Sequence, residues 1–444
     1  MIESYDDAIA WLFNRINYER LQAGSFSSGD FKLDRMAELL RRLGNPQERI
    51  PVVHIAGTKG KGSTAVMLAG ILRSAGYRTG LFTSPHIERF EERMLVDGEQ
   101  PRGDELQRLT AQCHDVVLAM DEESEQRRTT FFEVTTALAW LFFASRAADV
   151  AVLEVGLGGR LDATNICQPD VCVITNISRD HTAILGRTEE KIAAEKAGIV
   201  KPGIPVVTGC QHDGALQVIR AICAERGAEL LEAGRDFRVT ASRESHGARE
   251  IDVTVRKHAW PAIPVPLVGV HQSHNAALAI AAAQLLVDCG YAVTPEQARA
   301  GLTKVTFPAR IEIVSNTPLI IIDAAHNEAS CQALVDTLDQ FPQRPRTLIL
   351  AATRGKDIST MLDILLPAFE RIVVTQYLQN PRFVPLDELA ELVRGRGVRA
   401  QVAANPTEAL ALARKITGPD ELICVTGSFF VAAETRALLV DSHR

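Results

Sequence analysis

Long hydrophobic runs, an excess of basic residues and a basic N-terminal start are all missing from this sequence of 444 residues. No run reaches the roughly eighteen apolar residues that a membrane-spanning helix needs, and the longest candidate, around 137–148, is too short. The net charge of −7 argues against a general nucleic-acid binder, and no basic stripe offsets it. The first residues, MIESYDDAIAWLF, are acidic, unlike a secretory signal. These absences predict a cytoplasmic enzyme without a membrane or nucleic-acid partner.

Paired cysteines are missing too. The eight cysteines are scattered between Cys113 and Cys424 without a C-x-x-C pair. Cys167 and Cys172 come closest, but no matching Cys or His pair follows them, which argues against a zinc site. Reduced, buried thiols are therefore expected. With 46% apolar and 23% charged residues the chain is globular, and its length predicts two or three domains.

The stretch HIAGTKGKGSTAVML, residues 54–68, joins a short apolar run to a helical pattern through a glycine-rich loop. The run at 52–56 is rich in β-branched residues, which predicts a buried strand. Strand, glycine loop and helix together are the context of a phosphate-binding P-loop, whose backbone N–H groups and helix dipole attract anions. Lys61 would reach the outer phosphates, and Ser63 or Thr64 could contact magnesium. We therefore predict a nucleoside triphosphate site; the alternative is an ordinary βα turn with surface lysines.

Predicted strands and helices alternate along most of the chain. Such alternation favours parallel strands joined by crossover helices, with ligands at the carboxyl edge of the sheet. Residues 228–267 differ, because short alternating strands such as the one at 251–255 indicate an antiparallel appendage. After a linker at 307–309 the alternation restarts. The predicted fold is α/β: a P-loop, doubly wound, mostly parallel sheet with a small antiparallel appendage in residues 1–305, and a second, smaller Rossmann-like α/β domain in residues 306–444.

Polar side chains stand at the ends of three predicted strands. Ser84 follows one strand, Glu154 lies inside the apolar run VLEVG, and His181 closes VITNISRDH. A carboxylate in an apolar strand is costly unless it is paired or binds a cation. Hydroxyl, carboxylate and imidazole groups, together with phosphate oxygens, suit Mg²⁺, so the three are predicted to bind magnesium beside the phosphates. Taken singly, they could instead be a helix cap, a buried salt bridge and a core histidine.

Twelve short motifs follow one another from about residue 50 to residue 430: GTKGKGST, TSPH, FEERMLVDGE, FFEVTTALA, LEVGLGGRLDATN, DHTAILG, AEKAGIVKPG, HQSHNAALA, FPARIEIV, DAAHN, KDI and VTGSFF. In this order they resemble the folylpolyglutamate synthase and dihydrofolate synthase family, which is related to the Mur ligases of peptidoglycan synthesis. A P-loop alone would be weak evidence, but LGGRLDAT, EKAGI and D-x-A-H-N form a specific set. The resemblance implies a ligase of folate biosynthesis. It would use ATP to phosphorylate a carboxylate, and the amine of L-glutamate would then attack the acyl phosphate.

The resemblance also implies site residues. The implied ATP-binding residues are Thr58, Lys59, Gly60, Lys61, Gly62, Ser63, Asn275, Arg310, Asp323 and His326. Lys61, Lys196 and His181 are the implied participants in catalysis, and Ser84, Glu154 and His181 the metal ligands. Lys196 is the position that is carbamylated in the family, and the resulting anion could hold a second Mg²⁺ ion. The implied cofactors are therefore ATP and two Mg²⁺ ions, with a monovalent cation left open, and a monomer is expected.

The nucleotide site is expected to be divided between the two domains. By resemblance, Asn275 lies on the adenine side, whereas Arg310 and Asp323 provide phosphate and ribose contacts that closure of the second domain would complete. Closure would also exclude water from the acyl phosphate. Asp323 or the neighbouring Asn327 could alternatively serve only as a helix N-cap.

Two segments are implied for the pteroate or folate substrate: Thr130, Phe131, Phe132 and Glu133, and Leu161, Asp162 and Ala163. Phe132 could stack on the pterin ring, and Asp162 could accept hydrogen bonds from its N–H groups. Core packing is an equal alternative for one of the two phenylalanines. The segment 29–31 aligns with a weaker substrate loop.

Three departures from the family pattern stand out. Lys59 replaces an asparagine that is common in bacterial members, and Glu328 replaces the usual proline. The segment TRGKDI replaces a more apolar lead-in to its KD pair. The presence of Lys59 argues against dihydropteroate as a substrate besides tetrahydrofolate. The motif RLDAT, in contrast, favours the bifunctional bacterial type.

Three alternatives stay open at this point. One is a folylpolyglutamate synthase alone. Another is a Mur-type peptidoglycan ligase, which would need a further N-terminal domain of about a hundred residues, but only about fifty residues precede the P-loop. The third is a P-loop switch or transport ATPase, which would lack ATP contacts in a second domain.

Overall fold

A computed structural model of the chain describes residues 2–19, 32–123, 128–245 and 248–440. The chain divides into two compact units. The first comprises Met1–His86, Phe90–Pro266 and Gln272–Val305, and the second comprises Ile87–Arg89, Leu267–His271 and Thr306–Arg444. The predicted substrate loop at 29–31 lies outside the described residues.

The first unit is built on a seven-stranded sheet. Its strands are β1 (Val52–Ala56), β2 (Thr79–Phe82), β3 (Met94–Val96), β4 (Val150–Glu154), β5 (Val171–Ile174), β6 (Val206–Thr208) and β7 (Leu230–Glu232). Their order is β3-β2-β4-β1-β5-β6-β7, and every neighbouring pair is parallel except β2 with β3. The register places Ile55 of the central strand β1 beside both Glu154 and Val173. The loops that follow β1, β4 and β5 therefore leave the same edge of the sheet.

Helices cover both faces of this sheet, as crossover connections require. They are α1 (Tyr5–Phe13), α2 (Leu33–Arg42), α3 (Lys61–Ser74), α4 (Gly103–Glu123), α5 (Phe131–Ser145), α6 (Thr182–Leu185), α7 (Glu189–Lys196), α8 (Asp213–Glu225), α9 (Val270–Asp288) and α10 (Pro295–Leu302). Helix α5 begins with a capping box made by Thr130 and Glu133. Nearly all of its side chains are buried, which explains why its sequence is apolar on every side.

The predicted antiparallel appendage is a three-stranded sheet in the order β10-β9-β8. Its strands are β8 (Phe237–Ser245), β9 (Ala248–Val255) and β10 (His258–Val265). Trp260 anchors this sheet to α9, because its buried indole N–H donates to Gln284 Oε1 at 3.1 Å.

The second unit has a six-stranded sheet in the order β11-β12-β16-β13-β14-β15, in which only β11 is antiparallel to its neighbour. Its elements are β11 (Glu312–Asn316), β12 (Leu319–Ile322), α11 (Glu328–Leu338), β13 (Arg346–Leu350), α12 (Ile358–Leu365), β14 (Arg371–Val374), α13 (Leu386–Arg394), β15 (Ala400–Val402), α14 (Pro406–Ile416), β16 (Leu422–Thr426) and α15 (Phe429–Val440). Ile321 packs into one core layer and Ile320 and Ile322 into another. Helices therefore cover both faces of a parallel sheet, as in a Rossmann-like domain.

The predicted fold class is confirmed, with differences in detail. The predicted antiparallel segment 228–267 is wrong at its start, because β7 at 230–232 pairs in parallel with β6 and extends the main sheet. The antiparallel strands β3 and β11 were not predicted, because each is a short run at a sheet edge with little periodicity of its own. The prediction that the cysteines are buried is wrong for Cys289, which is exposed just after the end of α9. Among the described residues, no helix is both long and apolar enough to cross a membrane.

Candidate functional site

The loop between β1 and α3 needs glycine at two positions. Gly57 has a φ of 148° and Gly60 a φ of 82°. Residues other than glycine rarely adopt such positive φ values. Space is limited as well. A Cβ atom on Gly57 would lie 1.8 Å from Thr175 Oγ1, and one on Gly60 would lie 2.3 Å from Asn275 Oδ1. The glycine spacing seen in the sequence therefore has a steric cause.

The loop after β5 holds the P-loop in place. Asn176 accepts the N–H of Thr58 through its carbonyl oxygen at 2.9 Å and the N–H of Lys59 through its side chain at 2.8 Å. The Thr175 hydroxyl donates to the Lys59 carbonyl at 2.6 Å, and Lys59 Nζ lies 2.9 Å from Asp180 Oδ2. The first turn of α3 follows, and N–H groups in a first turn have no acceptor within the helix. This turn is therefore the part of the loop that can bind an anion.

Lys61 faces a buried carboxylate at the adjoining strand end. Its Nζ lies 4.0 Å from Glu154 Oε1, and the other Glu154 oxygen accepts the Ser84 N–H at 3.1 Å. Glu154 is the last residue of β4 and is 5% exposed. The structure thus brings Lys61, Glu154 and Ser84 together, and a carboxylate with a nearby hydroxyl supplies the oxygen donors that suit Mg²⁺.

His181 lies on the loop after β5, with its side chain 47% exposed. It begins α6 with a φ of 49°, and its Nε2 lies 3.8 Å from Asp180 Oδ1. The residue thus joins the cluster around Lys59, on the loop that leaves the same sheet edge as Glu154. Within residues 2–19, 32–123, 128–245 and 248–440, no group of three or more His, Cys, Asp or Glu side chains could hold a metal ion. A cation at Glu154 would therefore need other oxygen ligands, such as the Ser84 hydroxyl and phosphate.

Lys196 is buried against the P-loop. It ends α7, is 5% exposed, and donates from Nζ to the Gly57 carbonyl at 2.8 Å. Burial, reinforced by repulsion from Lys61, holds the pKa of Lys196 well below its ordinary value. The position at the end of β1 therefore favours the neutral amine, which is the nucleophilic form of a lysine.

Two of the sequence motifs pack backbone to backbone beside this lysine. A Cβ atom on Gly198 would lie 2.3 Å from Arg160 Cβ, and one on Gly159 would lie 2.8 Å from the Lys196 carbonyl oxygen. The Arg160 N–H donates to the Glu195 carbonyl at 2.8 Å, and the two side chains form a salt bridge at 2.9 Å. LGGR and EKAG are therefore one packed unit that fixes where Lys196 points.

The predicted substrate segment at 130–133 is firmly held. Glu133 accepts from the Thr130 N–H at 2.7 Å and pairs with Arg35 at 2.8 Å. Phe131 is fully buried and stacks on Phe13 with ring centroids 5.4 Å apart. Phe131 therefore belongs to the core, the alternative that the sequence left open for one of the two phenylalanines.

Phe132 has a different environment. It is half-buried, and its ring lies against Gly156, where a Cβ atom would be 2.4 Å from the ring edge. In the second segment, Leu161 is half-buried and Ala163 is buried. Asp162 is buried too, and burial raises its pKa. Its oxygens accept the N–H groups of Leu157 at 2.8 Å and Thr164 at 3.0 Å.

Asn275 of α9 is the predicted nucleotide-binding residue of this unit that lies outside the P-loop. Its amide N–H donates to Gln272 Oε1 at 2.9 Å, and its Oδ1 lies against Gly60. Of the remaining P-loop residues, Gly62 and Ser63 are buried in the first turn of α3. The structure therefore places Asn275 beside the predicted phosphate loop.

Three further predicted residues lie in the second unit. The Asp323 carboxylate accepts the N–H groups of Ile311 at 2.9 Å and Ala325 at 2.8 Å, and burial raises its pKa. The Arg310 guanidinium lies over the rings of Phe307 and Phe429, 5.3 and 4.9 Å from their centroids. The His326 ring is 5.1 Å from the Phe429 ring.

Asn327, unlike these three residues, caps a helix. Asn327 is the N-cap of α11, whereas Asp323 precedes that helix and caps no described helix. The roles of Arg310, Asp323 and His326 toward a nucleotide stay predictions.

Some contacts could not be inferred from the sequence. Asn176 was not singled out, although a polar residue directly after a buried strand is a usable signal. Arg35, the partner of Glu133, carries no such signal, because its helix reads as an ordinary charged surface helix.

The chain matches two protein-family models, the Mur ligase middle domain over residues 55–283 and the Mur ligase glutamate ligase domain over residues 309–429. It is 35% identical to the folylpolyglutamate synthase of Lacticaseibacillus casei, over 98% of this chain and 99% of that protein. It is also 35% identical to the dihydrofolate synthase/folylpolyglutamate synthase of Bacillus subtilis, over 99% of this chain and all of that protein. The structure of Mycobacterium tuberculosis folylpolyglutamate synthase complexed with ADP superposes with a TM-score of 0.90 at 32% identity, covering 99% of this chain and 98% of that one.

Proposed function

The chain belongs to the folylpolyglutamate synthase and dihydrofolate synthase family of Mur ligases, and we propose that it joins L-glutamate to both dihydropteroate and tetrahydrofolate using ATP. The observation that carries the proposal is the arrangement at the P-loop. Lys61 faces the buried Glu154 carboxylate, and the buried amine of Lys196 lies against the loop backbone. A phosphate-binding turn beside a carboxylate and a buried lysine suits the transfer of a phosphoryl group to an acid.

The reaction has two steps. The substrate carboxylate attacks the γ-phosphorus of ATP, the bond to ADP breaks, and an acyl phosphate forms. The amine of L-glutamate then attacks the acyl carbon, inorganic phosphate leaves, and the amine gives up a proton. The first turn of α3 and the Lys61 ammonium would support the first step by stabilising the negative charge that gathers on the phosphate oxygens.

Mg²⁺ bound by Glu154, Ser84 and His181 would supply positive charge between two anions that otherwise repel each other. A lysine adds to CO₂ as its neutral amine, the form that burial favours at Lys196, and loss of one proton gives a carbamate anion. That modification would place a negative charge beside Gly57 and so suits a second cation.

Acceptance of both substrates is supported by the segment at 160–164. The buried Asp162 carboxylate and the half-buried Phe132 ring are group types that can recognise a pterin. Lys59 is the departure from the family pattern that argued against dihydropteroate as a substrate. Its ammonium forms a salt bridge with Asp180 at 2.9 Å. This lysine therefore does not add an unpaired charge to a substrate pocket. The enzyme is further proposed to act as a monomer in the cytoplasm.

The test is ATP-dependent incorporation of labelled L-glutamate, run separately with dihydropteroate and with tetrahydrofolate. Incorporation with both substrates is the expected result. Incorporation with tetrahydrofolate only would reduce the function to folylpolyglutamate synthase. ATP hydrolysis without incorporation into either substrate would overturn the proposal.

A further inference from the structure

A chain of three buried side chains connects the centre of the sheet to Asp162. His54 of β1 is fully buried, and its Nε2 lies 2.8 Å from Thr164 Oγ1. The same hydroxyl lies 2.5 Å from Asp162 Oδ1 and is also fully buried. Asp162 is 5% exposed, so all three groups are removed from water. We call His54, Thr164 and Asp162 the relay.

The protons of the relay can be assigned from its acceptors. The Asp162 oxygens already accept two backbone N–H groups, so the Thr164 hydroxyl donates to the carboxylate. Thr164 Oγ1 must then accept from His54 Nε2–H, because a hydroxyl has only one proton. Burial lowers the pKa of His54 to about 3, so the imidazole is neutral and its Nδ1 carries no proton.

The relay has a cost that points to its use. His54 Nδ1 is buried and has no hydrogen-bond partner among the described residues. A buried polar atom without a partner destabilises the fold, and an apolar residue in the centre of β1 would avoid that cost. What such a residue could not supply is the Nε2–H that fixes the Thr164 hydroxyl.

The fixed carboxylate in turn braces one wall of the proposed substrate site. One Asp162 oxygen holds the N–H of Leu157 at 2.8 Å, directly after Gly156, on which the Phe132 ring rests. Thr164 binds the other oxygen twice, through its N–H and its hydroxyl. The carboxylate therefore cannot rotate without breaking bonds at both oxygens.

We propose that His54 and Thr164 are positioning residues that orient the Asp162 carboxylate for the pteroate substrate. This inference rests on the proposed function, because Asp162 must meet the substrate for its orientation to matter. Substitution of Thr164 is not expected to change KM for ATP, since the hydrogen bonds of its hydroxyl go to His54 and Asp162 and not to the P-loop.

The test compares Thr164→Val, which removes the hydroxyl while nearly keeping the shape, with Thr164→Ser, which keeps the hydroxyl. KM for dihydropteroate, KM for ATP, kcat and the thermal midpoint are measured for both. Thr164→Val should raise KM for dihydropteroate about tenfold or more, the effect of losing one hydrogen bond to a charged group. KM for ATP should stay unchanged, and Thr164→Ser should stay close to the parent enzyme.

His54→Leu provides a second, independent variant. Because it breaks the same relay, its effect on KM for dihydropteroate should not add to that of Thr164→Val in the double variant. An unchanged KM for dihydropteroate in variants that only lose thermal stability would overturn the inference while leaving the function intact. A parent enzyme that incorporates no glutamate would instead overturn the proposed function.

Discussion

Replacing Glu154 by glutamine separates the charge of this residue from its shape. The carboxylate is 5% exposed at the end of β4, with Lys61 Nζ at 4.0 Å and the Ser84 N–H at 3.1 Å. Glutamine fills the same volume, and its amide oxygen can still accept the Ser84 N–H. The fold should therefore survive Glu154→Gln.

The magnitude follows from the distances. Two charges 4.0 Å apart attract each other by about 4 kcal/mol at an effective dielectric constant near 20, but desolvation of both groups cancels most of this gain. The Lys61 side chain is 17% exposed, so its unpaired ammonium stays partly hydrated. The free energy of unfolding should therefore fall by no more than about 3 kcal/mol, the lower end of the cost of breaking a buried pair. A cation that loses its buried carboxylate has no such compensation. A loss of about 3–4 kcal/mol corresponds to a drop in kcat of two to three orders of magnitude.

Nucleotide binding should respond in the opposite sense. Lys61 loses its carboxylate partner in Glu154→Gln, so ADP binding in the presence of a chelator should be unchanged or tighter. The assays are glutamate incorporation over a range of Mg²⁺ concentrations, calorimetric ADP binding with and without Mg²⁺, and thermal unfolding. Glu99→Gln is the control, since the Glu99 side chain is 75% exposed. Normal turnover of Glu154→Gln at ordinary Mg²⁺ concentrations would refute the assignment of Glu154 to the metal.

Lys196→Ala is expected to be nearly inactive in glutamate incorporation and to regain part of its rate with added acetate; absence of rescue, together with an unmodified lysine in a crystal structure, would rule out the carbamate. In CO₂-free buffer, Lys196→Met should raise the thermal midpoint at neutral pH, because burial lowers the pKa of this amine in the folded protein while the unfolded chain protonates it below the ordinary pKa of 10.5. The gain should shrink as the pH rises toward that value, and a gain that ignores pH would contradict the low pKa. Asp162→Ala should reduce activity with dihydropteroate more than with tetrahydrofolate, and equal losses in both assays would separate Asp162 from pterin recognition.

Most of the fold could be predicted from local patterns in the sequence. The β1–loop–α3 unit could be predicted because burial of a short strand, glycine spacing and a helical repeat are all encoded within about twenty residues. The same holds for the parallel sheets, whose strands are buried on both faces and therefore read as apolar runs. Strands β3 and β11 escaped prediction because edge strands are defined by their partner, not by a pattern of their own.

The same distinction applies to the site: residues with a local signal in the sequence could be predicted, and residues defined by distant contacts could not. Glu154 could be predicted because a carboxylate inside an apolar strand is an expensive local exception. Which of Phe131 and Phe132 lies in the core could not, since both positions are apolar and the choice depends on the packing of Phe13. The pairing of Lys59 with Asp180 was also beyond the sequence, because it joins two loops that follow different strands.

The motif glycines and Lys196 belong to one packed unit, but different physical constraints determine them. Gly159 and Gly198 are required by contact, since any side chain there would collide with the opposing backbone or with Arg160. Lys196 is buried beside this contact, and burial lowers its pKa. A larger residue at Gly198 would therefore act on Lys196 indirectly, by opening the interface, exposing the amine and raising its pKa toward the ordinary value. The identity of the glycines and the chemistry of the lysine are linked through burial, although none of the glycines bears a reactive group.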